Sequence, residues 1–357
     1  MKIDGVHYRS IELNDDGWSL RIFDQRQLPW KLAPVTLASI DDAATAIIEM
    51  WTRGGPMIGA TAAYGLCMAL RQDPSDKTLS SAYHQLLATR PTAINLRWAL
   101  DKIVDAARPH QGAARITAAY ICAANICDED VKINRAIGKH GLKLIRSLAN
   151  KKSTGPVNIL THCNAGWLAT VDYGTALSPI YLAHDNGIEL HVWVDETRPR
   201  NQGSAITAYE LAQHGVPHTV IVDNAGGLLM QQKKVDMCIV GTDRVTLNGD
   251  VCNKIGTYLK ALAAKDNDVP FYVALPYTTI DNTLQSGDQV PLEERDPLEV
   301  SNITGRTAEG KIINVALTTS PVANYAFDIT PSRLVTGYIT EKGLLNNLSE
   351  WPEAVSA

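Results

Sequence analysis

No run of apolar residues in the chain approaches the roughly 20 that a membrane-spanning helix needs. Its opening, MKIDGVHYRS, lacks the apolar core of a secretory signal. These gaps point to a cytoplasmic protein with no membrane partner. The net charge of −5 gives no positive surplus with which to hold nucleic acid or an acidic bilayer. The six cysteines, Cys67, Cys122, Cys127, Cys163, Cys238 and Cys252, include no Cys-x-x-Cys pair, which argues against structural zinc. Five of them sit among apolar neighbours and are expected to be small buried hydrophobes in a reducing compartment. A G-x-x-x-x-G-K-[ST] loop and a G-x-S-x-G elbow are both missing. TRGGPMIG is not a G-x-G-x-x-G turn after a long apolar strand, so no nucleotide cofactor is expected. There is no internal repeat and no low-complexity tract.

What is present fits a folded α/β protein. At 357 residues, the chain is long enough for two domains of roughly 100–200 residues each. RSIELNDDGWSLRIFDQRQLPW carries two apolar stretches broken by Asn-Asp-Asp-Gly, a hairpin signal. From Asp41 the spacing turns helical. DDAATAIIEMW opens on acidic residues, which suit a helix N-terminus. ATAAYGLCMALR, PTAINLRWALDKIVDAAR with Pro91 at its start, and the long stretch from Ile116 to Asn150 continue the pattern. KKSTGP, at 151–156, reads as a boundary loop. Beyond it VNILTH, IELHVWV, HTVIV, VDMCIVG and PFYVALP alternate with helix-length segments, and LVTGYIT could add a strand. That alternation predicts a parallel sheet covered on both faces. The expected organisation is a mainly helical domain with a small sheet over 1–150 and a Rossmann-like α/β/α domain over 151–357.

Ligands in such sheets bind at the carboxyl ends of the strands, so the residues after each apolar run are the candidates. Cys163 follows VNILTH and precedes Asn-Ala-Gly, a tight turn where helix N-terminal amides would lower a thiol pKa. His162, its neighbour on an extended strand, should point to the other face and is a poor activator of the thiol. Arg198, Arg200 and Gln202 follow IELHVWV and form a plausible anion-binding loop. Asp195 and Glu196 have no second cluster at ligand spacing, so a metal is not expected. Asp243 follows VDMCIVG, where desolvation would raise its pKa and keep it protonated; Arg244 beside it suggests instead a simple ion pair. Asn253 and Lys254 open the next predicted helix and could hold a phosphate. Arg53 stands before Gly54 and Gly55, which allow close backbone approach to a ligand. This chemistry offers an acid, a thiol and phosphate donors on one sheet edge without naming a reaction.

RGGPMIGATAAYG, RPTAINLRWAL, THCNAGWLAT, ETRPRNQG, VGTDRVTLNGDVCNKIGTY, EERDPLEV and AFDITPSRLVTGYITEKG occur in this order over almost the whole chain. In them the sequence resembles the methylthioribose-1-phosphate isomerases. Their superfamily also holds ribose-1,5-bisphosphate isomerases and regulatory subunits of a translation-initiation exchange factor. The resemblance implies Cys163 and Asp243 as the catalytic pair. It implies Arg53, Gly54, Gly55, Arg90, Gln202, Asn253 and Lys254 as substrate-binding residues, and a metal-free homodimer. Gly55 and Thr242 stand where the family usually has Ala, Trp167 where it has a small residue, and Tyr325 where it has Pro; Gly55 and Trp167 are expected to reshape the pocket.

An aldose carrying phosphate on C1 has no free anomeric hydroxyl, so its ring opens only if an acid protonates the ring oxygen. The expectation assigns this to Asp243. Hydrogen then passes from C2 to C1, through a Cys163 thiolate as base or as a hydride, with the thiolate route preferred. The rival readings are a sister isomerase for 5-deoxyribose 1-phosphate or ribose 1,5-bisphosphate, and a non-catalytic regulatory protein on the same fold.

Overall fold

The structure, a computed structural model, describes residues 1–3 and 5–346. A two-stranded ribbon (β1, Lys2–Ile3; β2, Val6–His7) precedes an antiparallel three-stranded sheet (β3, Ile11–Leu13; β4, Leu20–Phe23; β5, Pro34–Leu37). The turn between β3 and β4 is the Asn-Asp-Asp-Gly segment read as a hairpin. Five helices follow: α1 (Ile40–Ile48), α2 (Gly55–Gln72), α3 (Asp76–Thr89), α4 (Ile94–Ala107) and α5 (Gly112–Lys151). Ser39 caps α1 by accepting the Asp42 N–H, and Asp41 and Asp42 complement the first-turn dipole. Pro91 does not open α4 as expected; it lies in a turn, and the helix begins at Ile94.

The second half alternates strands and helices: β6 (Val157–Thr161), α6 (Ser178–Asp185), β7 (Leu190–Asp195), α7 (Ala208–His214), β8 (His218–Ile221), α8 (Ala225–Gln231) and β9 (Met237–Val240). After β9 come β10 (Arg244–Thr246), β11 (Val251–Lys254), α9 (Thr257–Asp266), β12 (Phe271–Ala274) and β13 (Ile280–Asp281). The chain closes with α10 (Leu298–Ser301), β14 (Asn302–Arg306), β15 (Ile312–Ala316), β16 (Phe327–Thr330), β17 (Gly337–Thr340) and β18 (Gly343–Leu345). The large sheet has the order β18-β17-β12-β9-β6-β7-β8. All its pairs are parallel except β17 with β18. Every apolar run read as a strand beyond residue 156, LVTGYIT included, lies in it. The order reverses between β6 and β9, the switch point where a doubly wound sheet opens a crevice.

Two features were not anticipated. A second sheet, β13-β10-β11-β16, sits beyond the switch point. Its β10–β11 hairpin turns at Asn248-Gly249, with Gly249 at φ 81, a recognisable turn signal. Asn253 and Lys254 therefore end a strand rather than open a helix. The other feature is α5, 40 residues long and so about 60 Å. Ala119, Ala123 and Cys127 on its first half pack into a core with α1, α2, α4 and the front sheet. Ile137 and Ile145 on its second half pack under the parallel sheet with Ile159, Val192 and Ile239. The alternate strand residues Leu160, Cys238 and Val240 face the opposite core with Ala261 and Ala264 of α9. One helix thus braces the layer that carries Arg53 against the sheet that carries Cys163.

Candidate active site

The nine residues implied by the resemblance line one cavity, whose walls come from the loop before α2, Arg90 after α3, the segments after β6, β7 and β9, and the end of β11. Gly54 has φ 91, and a Cβ there would lie 2.6 Å from the Ala169 Cβ; only glycine fits that turn. Gly55 lets α2 start against α4, since a Cβ would fall 2.6 Å from Asn95 Oδ1. Thr242, another departure, also lines the cavity. Trp167 does not: it is fully buried in the core, edge-on to Phe23 at 6.2 Å between ring centroids, so it leaves the pocket's shape alone. Tyr325 is exposed.

Cys163 sits at φ 67 immediately after β6. Its N–H donates to Thr197 Oγ1 at 2.9 Å, and its carbonyl accepts from Thr207 Oγ1 at 2.7 Å. No α-helix begins at this turn; a short 3-10 segment over Trp167–Ala169 follows, and α6 starts only at Ser178. The expected helix dipole is missing, and burial pushes the thiol above its ordinary pKa despite the nearby Arg53 and Lys254. The sequence expectation of a readily formed thiolate is corrected accordingly. Cys122 departs from the expected burial too, being half-exposed with Sγ donating to Lys102 O at 3.5 Å.

Asp243 opens onto the cavity yet is ringed by protein, and desolvation raises its carboxyl pKa against the pull of Lys254, Arg90 and Arg53. Its N–H donates to Cys252 O at 3.0 Å. Arg244 is not its partner: that guanidinium pairs with Asp281 at 2.7 Å. A carboxyl whose pKa is raised next to a cation-lined cavity is shifted toward the form that can donate a proton.

The cations fall into two sets. Arg90 pairs with Glu293 at 3.0 Å, Arg200 with Glu299 at 2.7 Å, and Arg295 with Glu293 at 2.8 Å and Glu299 at 3.0 Å. Two pairs onto Glu299 hold its carboxyl down at about 2 despite burial. Arg53 and Lys254 are buried, and among the described residues neither makes an ion pair. Lys254 donates to Ala326 O at 3.0 Å and lies 4.3 Å over the Phe327 ring. Burial lowers the pKa of both groups. Buried cations without counter-ions are costly unless an anion arrives. Arg53 Nε and Gln202 Oε1 are likewise buried without hydrogen-bond partners. Asn253 lines the same wall, with Nδ2 donating to Thr257 Oγ1 at 3.0 Å.

Sequence reasoning misplaced Arg198, whose guanidinium donates to the backbone at Pro199 and Val300. It missed Arg295 and Phe327, which line the cavity from irregular or edge segments with no periodic signal. It also missed Glu210, a buried carboxylate behind the cysteine turn. His162 is among the residues that line the cavity, but its ring nitrogens are engaged elsewhere. Its Nδ1 lies 2.8 Å from Asp195 and its Nε2 2.8 Å from Ile255 O. With Asp223 these residues form the one His/Cys/Asp/Glu cluster of ligating geometry among the described residues. Its chemistry does not suit a metal, because the Lys260 ammonium already stands 3.2 Å from Asp195 and both imidazole nitrogens are engaged.

A doubly wound sheet with an acid, a thiol and two unpaired cations at its switch point defines an α/β protein built to hold a small phosphorylated ligand. The sequence profile of the initiation factor 2 subunit family matches residues 51–347. The methylthioribose-1-phosphate isomerase of Brucella anthropi is 60% identical over 348 residues, 96% of each chain. That of Acidiphilium cryptum is 61% identical over 348 residues, 96% of this chain and 94% of its own. The crystal structure of 5-methylthioribose 1-phosphate isomerase from Pyrococcus horikoshii has a TM-score of 0.81 at 37% identity, covering 95% of this chain and 92% of that one. The crystal structure of the translation initiation factor eIF-2B, subunit delta, from A. fulgidus has a TM-score of 0.78 at 36% identity, covering 95% of this chain and 96% of its own. The chain belongs to the initiation factor 2 subunit family, on its methylthioribose-1-phosphate isomerase branch.

Proposed function

We propose that the protein is a sugar-phosphate isomerase converting 5-methylthioribose 1-phosphate to 5-methylthioribulose 1-phosphate, a step of methionine salvage. The observation that carries this reading is a carboxyl with a raised pKa, Asp243, sharing one cavity with Arg53 and Lys254, two buried cations without counter-ions. Arg53, with Gln202, Asn253, Lys254 and the amides around Gly54 and Gly55, would bind the substrate, and Arg90 would close the rim.

Asp243 protonates the ring oxygen and the C1–O bond breaks, leaving an open-chain cation at C1. Hydride then passes from C2 to C1, and the C2 hydroxyl returns its proton to the Asp243 carboxylate as the ketone forms. The cycle consumes no acid, base or cofactor. The raised thiol pKa of Cys163 supports this route over a thiolate base. A neutral thiol covers C1 and C2 and keeps water from the cation.

A regulatory role on the same fold needs neither Cys163 nor Asp243, and their presence favours the enzyme. We further propose two domains, 1–150 and 151–357, and a cytoplasmic homodimer. Apolar side chains Leu298, Ile312, Ile313, Val315 and Leu317 stand exposed along α10 and the β14–β15 hairpin and suit a subunit interface. No helix of the described residues is long and apolar enough to cross a membrane. The test is turnover of 5-methylthioribose 1-phosphate, 5-deoxyribose 1-phosphate and ribose 1,5-bisphosphate. The methylthio sugar is expected to give the highest kcat/KM; no turnover of any of the three would refute the reading.

A further inference from the structure

The guanidinium of Arg53 is held by a neutral amide rather than by a carboxylate. Nη1 and Nη2 each donate to Asn164 O at 3.3 Å, and Nη2 also donates to Asn164 Oδ1. The far side of that amide meets a carboxylate: Asn164 Nδ2 donates to Glu210 Oε1 at 3.0 Å and to Thr207 Oγ1 at 3.1 Å. Glu210 is itself immobilised. It accepts the Trp167 N–H at 2.9 Å, the Leu168 N–H at 3.2 Å and the Tyr181 hydroxyl at 2.7 Å. Arg53, Asn164 and Glu210 are all buried.

Both Glu210 oxygens already take backbone N–H donors, so the oxygen facing Asn164 accepts, and the amide must present Nδ2 to it. That leaves Oδ1 facing Arg53 and fixes the guanidinium in orientation. The counter-charge stays one residue away. A carboxylate in direct contact would orient Arg53 equally well, but it would also pair with the charge an incoming phosphate needs. The orphaned Arg53 Nε shows that the group is not saturated by the protein.

We infer that Asn164 and Glu210 are positioning residues that orient Arg53 for the substrate phosphate while keeping its charge available. Glu210 acts through Asn164 and touches no ligand. This rests on the reading of Arg53 as a phosphate ligand, and the test separates the two. Inorganic phosphate serves as the probe, by calorimetry and as a competitive inhibitor of turnover, with thermal unfolding as the check on folding.

Asn164→Asp moves a carboxylate onto Arg53. The double variant Asn164→Asp/Glu210→Gln keeps the wild-type net charge and shifts the negative charge one link closer; the Trp167 or Leu168 N–H then faces the glutamine –NH2, and thermal unfolding reads what that costs. Both should weaken phosphate binding by about tenfold or more and raise KM alike, with a much smaller change in kcat. Asn164→Ser removes the bridge to Glu210 without placing a charge beside Arg53 and should weaken phosphate binding less than the aspartate does. A double variant that binds phosphate like wild type, or a serine variant as impaired as the aspartate, would overturn the inference. Wild-type protein that binds neither phosphate nor a sugar 1-phosphate would overturn the phosphate reading of Arg53 itself, and the inference with it.

Discussion

The two sides of the cavity treat positive charge differently. At the rim, Arg90, Arg200 and Arg295 share Glu293 and Glu299 in a closed ion-pair network. In the depth, Arg53 and Lys254 are buried against carbonyls, an amide and an aromatic face. The rim cations all have carboxylate partners without a ligand. The deep pair is electrostatically incomplete, and its desolvation cost is met only when an anion binds. A count of cations in the cleft would have treated all five alike; their partners divide them into a paired and an unpaired set.

The largest expected effect lies on the deep side. Asp243→Asn keeps the size and removes the donated proton, and kcat should fall at least about a hundredfold with the fold intact. Because burial raises this carboxyl, wild-type activity should hold while the acid is protonated and fall as pH rises through the raised value. A pH–rate profile of both proteins checks this, and near-normal turnover by the asparagine variant would contradict the acid assignment.

Next comes Lys254→Met, which removes a buried cation without stranding a carboxylate. Substrate affinity should collapse while the ligand-free protein melts roughly 2–4 °C higher. Differential scanning fluorimetry with and without phosphate reads both. A lower melting point would place Lys254 with the scaffold and erase the contrast between the two sides.

Glu299→Gln tests the rim and should act on stability more than on turnover. The wild-type carboxyl sits at about 2 in the folded protein against an ordinary 4.5. A depressed pKa contributes stability that is fully present above about 4.5 and is lost as pH falls toward about 2. Melting curves of wild type and variant should therefore differ above that window and converge within it. The smallest effect is expected at Cys122, half-exposed and far from the cavity residues in the fold: Cys122→Ser should leave kcat/KM within about twofold.

Much of the fold and of the cavity lining was legible in the sequence, and what was not has a physical cause. The parallel strands announced themselves as short Val- and Ile-rich runs, and strand ends pointed to Cys163 and Asp243 because ligands collect there. The β10–β11 hairpin carried an Asn-Gly turn, yet the helix expected after Asp243 hid it, so Lys254 was assigned to the wrong element. The protonation tendency of Cys163 was misjudged because a tight turn after a strand was taken for a helix start, whereas Trp167–Ala169 is only a 3-10 segment. Glu293, Glu299 and Glu210 were invisible as partners. Arg90 meets Glu293, Arg200 meets Glu299 and Asn164 meets Glu210 across long stretches of chain, and pairing of that kind is a property of the fold, not of spacing; only the short-range pairs of Arg295 with Glu293 and Glu299 lay within reach of the sequence.

The account is tested most directly by following hydrogen. Methylthioribose 1-phosphate deuterated at C2 is turned over in ordinary water, and the product is read by proton and deuterium NMR. A protonated Asp243 opening the ring beside a neutral Cys163 thiol predicts methylthioribulose 1-phosphate with the whole label on C1. Label lost to water would contradict the neutral-thiol route, and the absence of any ketose product would contradict the assignment of the cavity as an isomerase site.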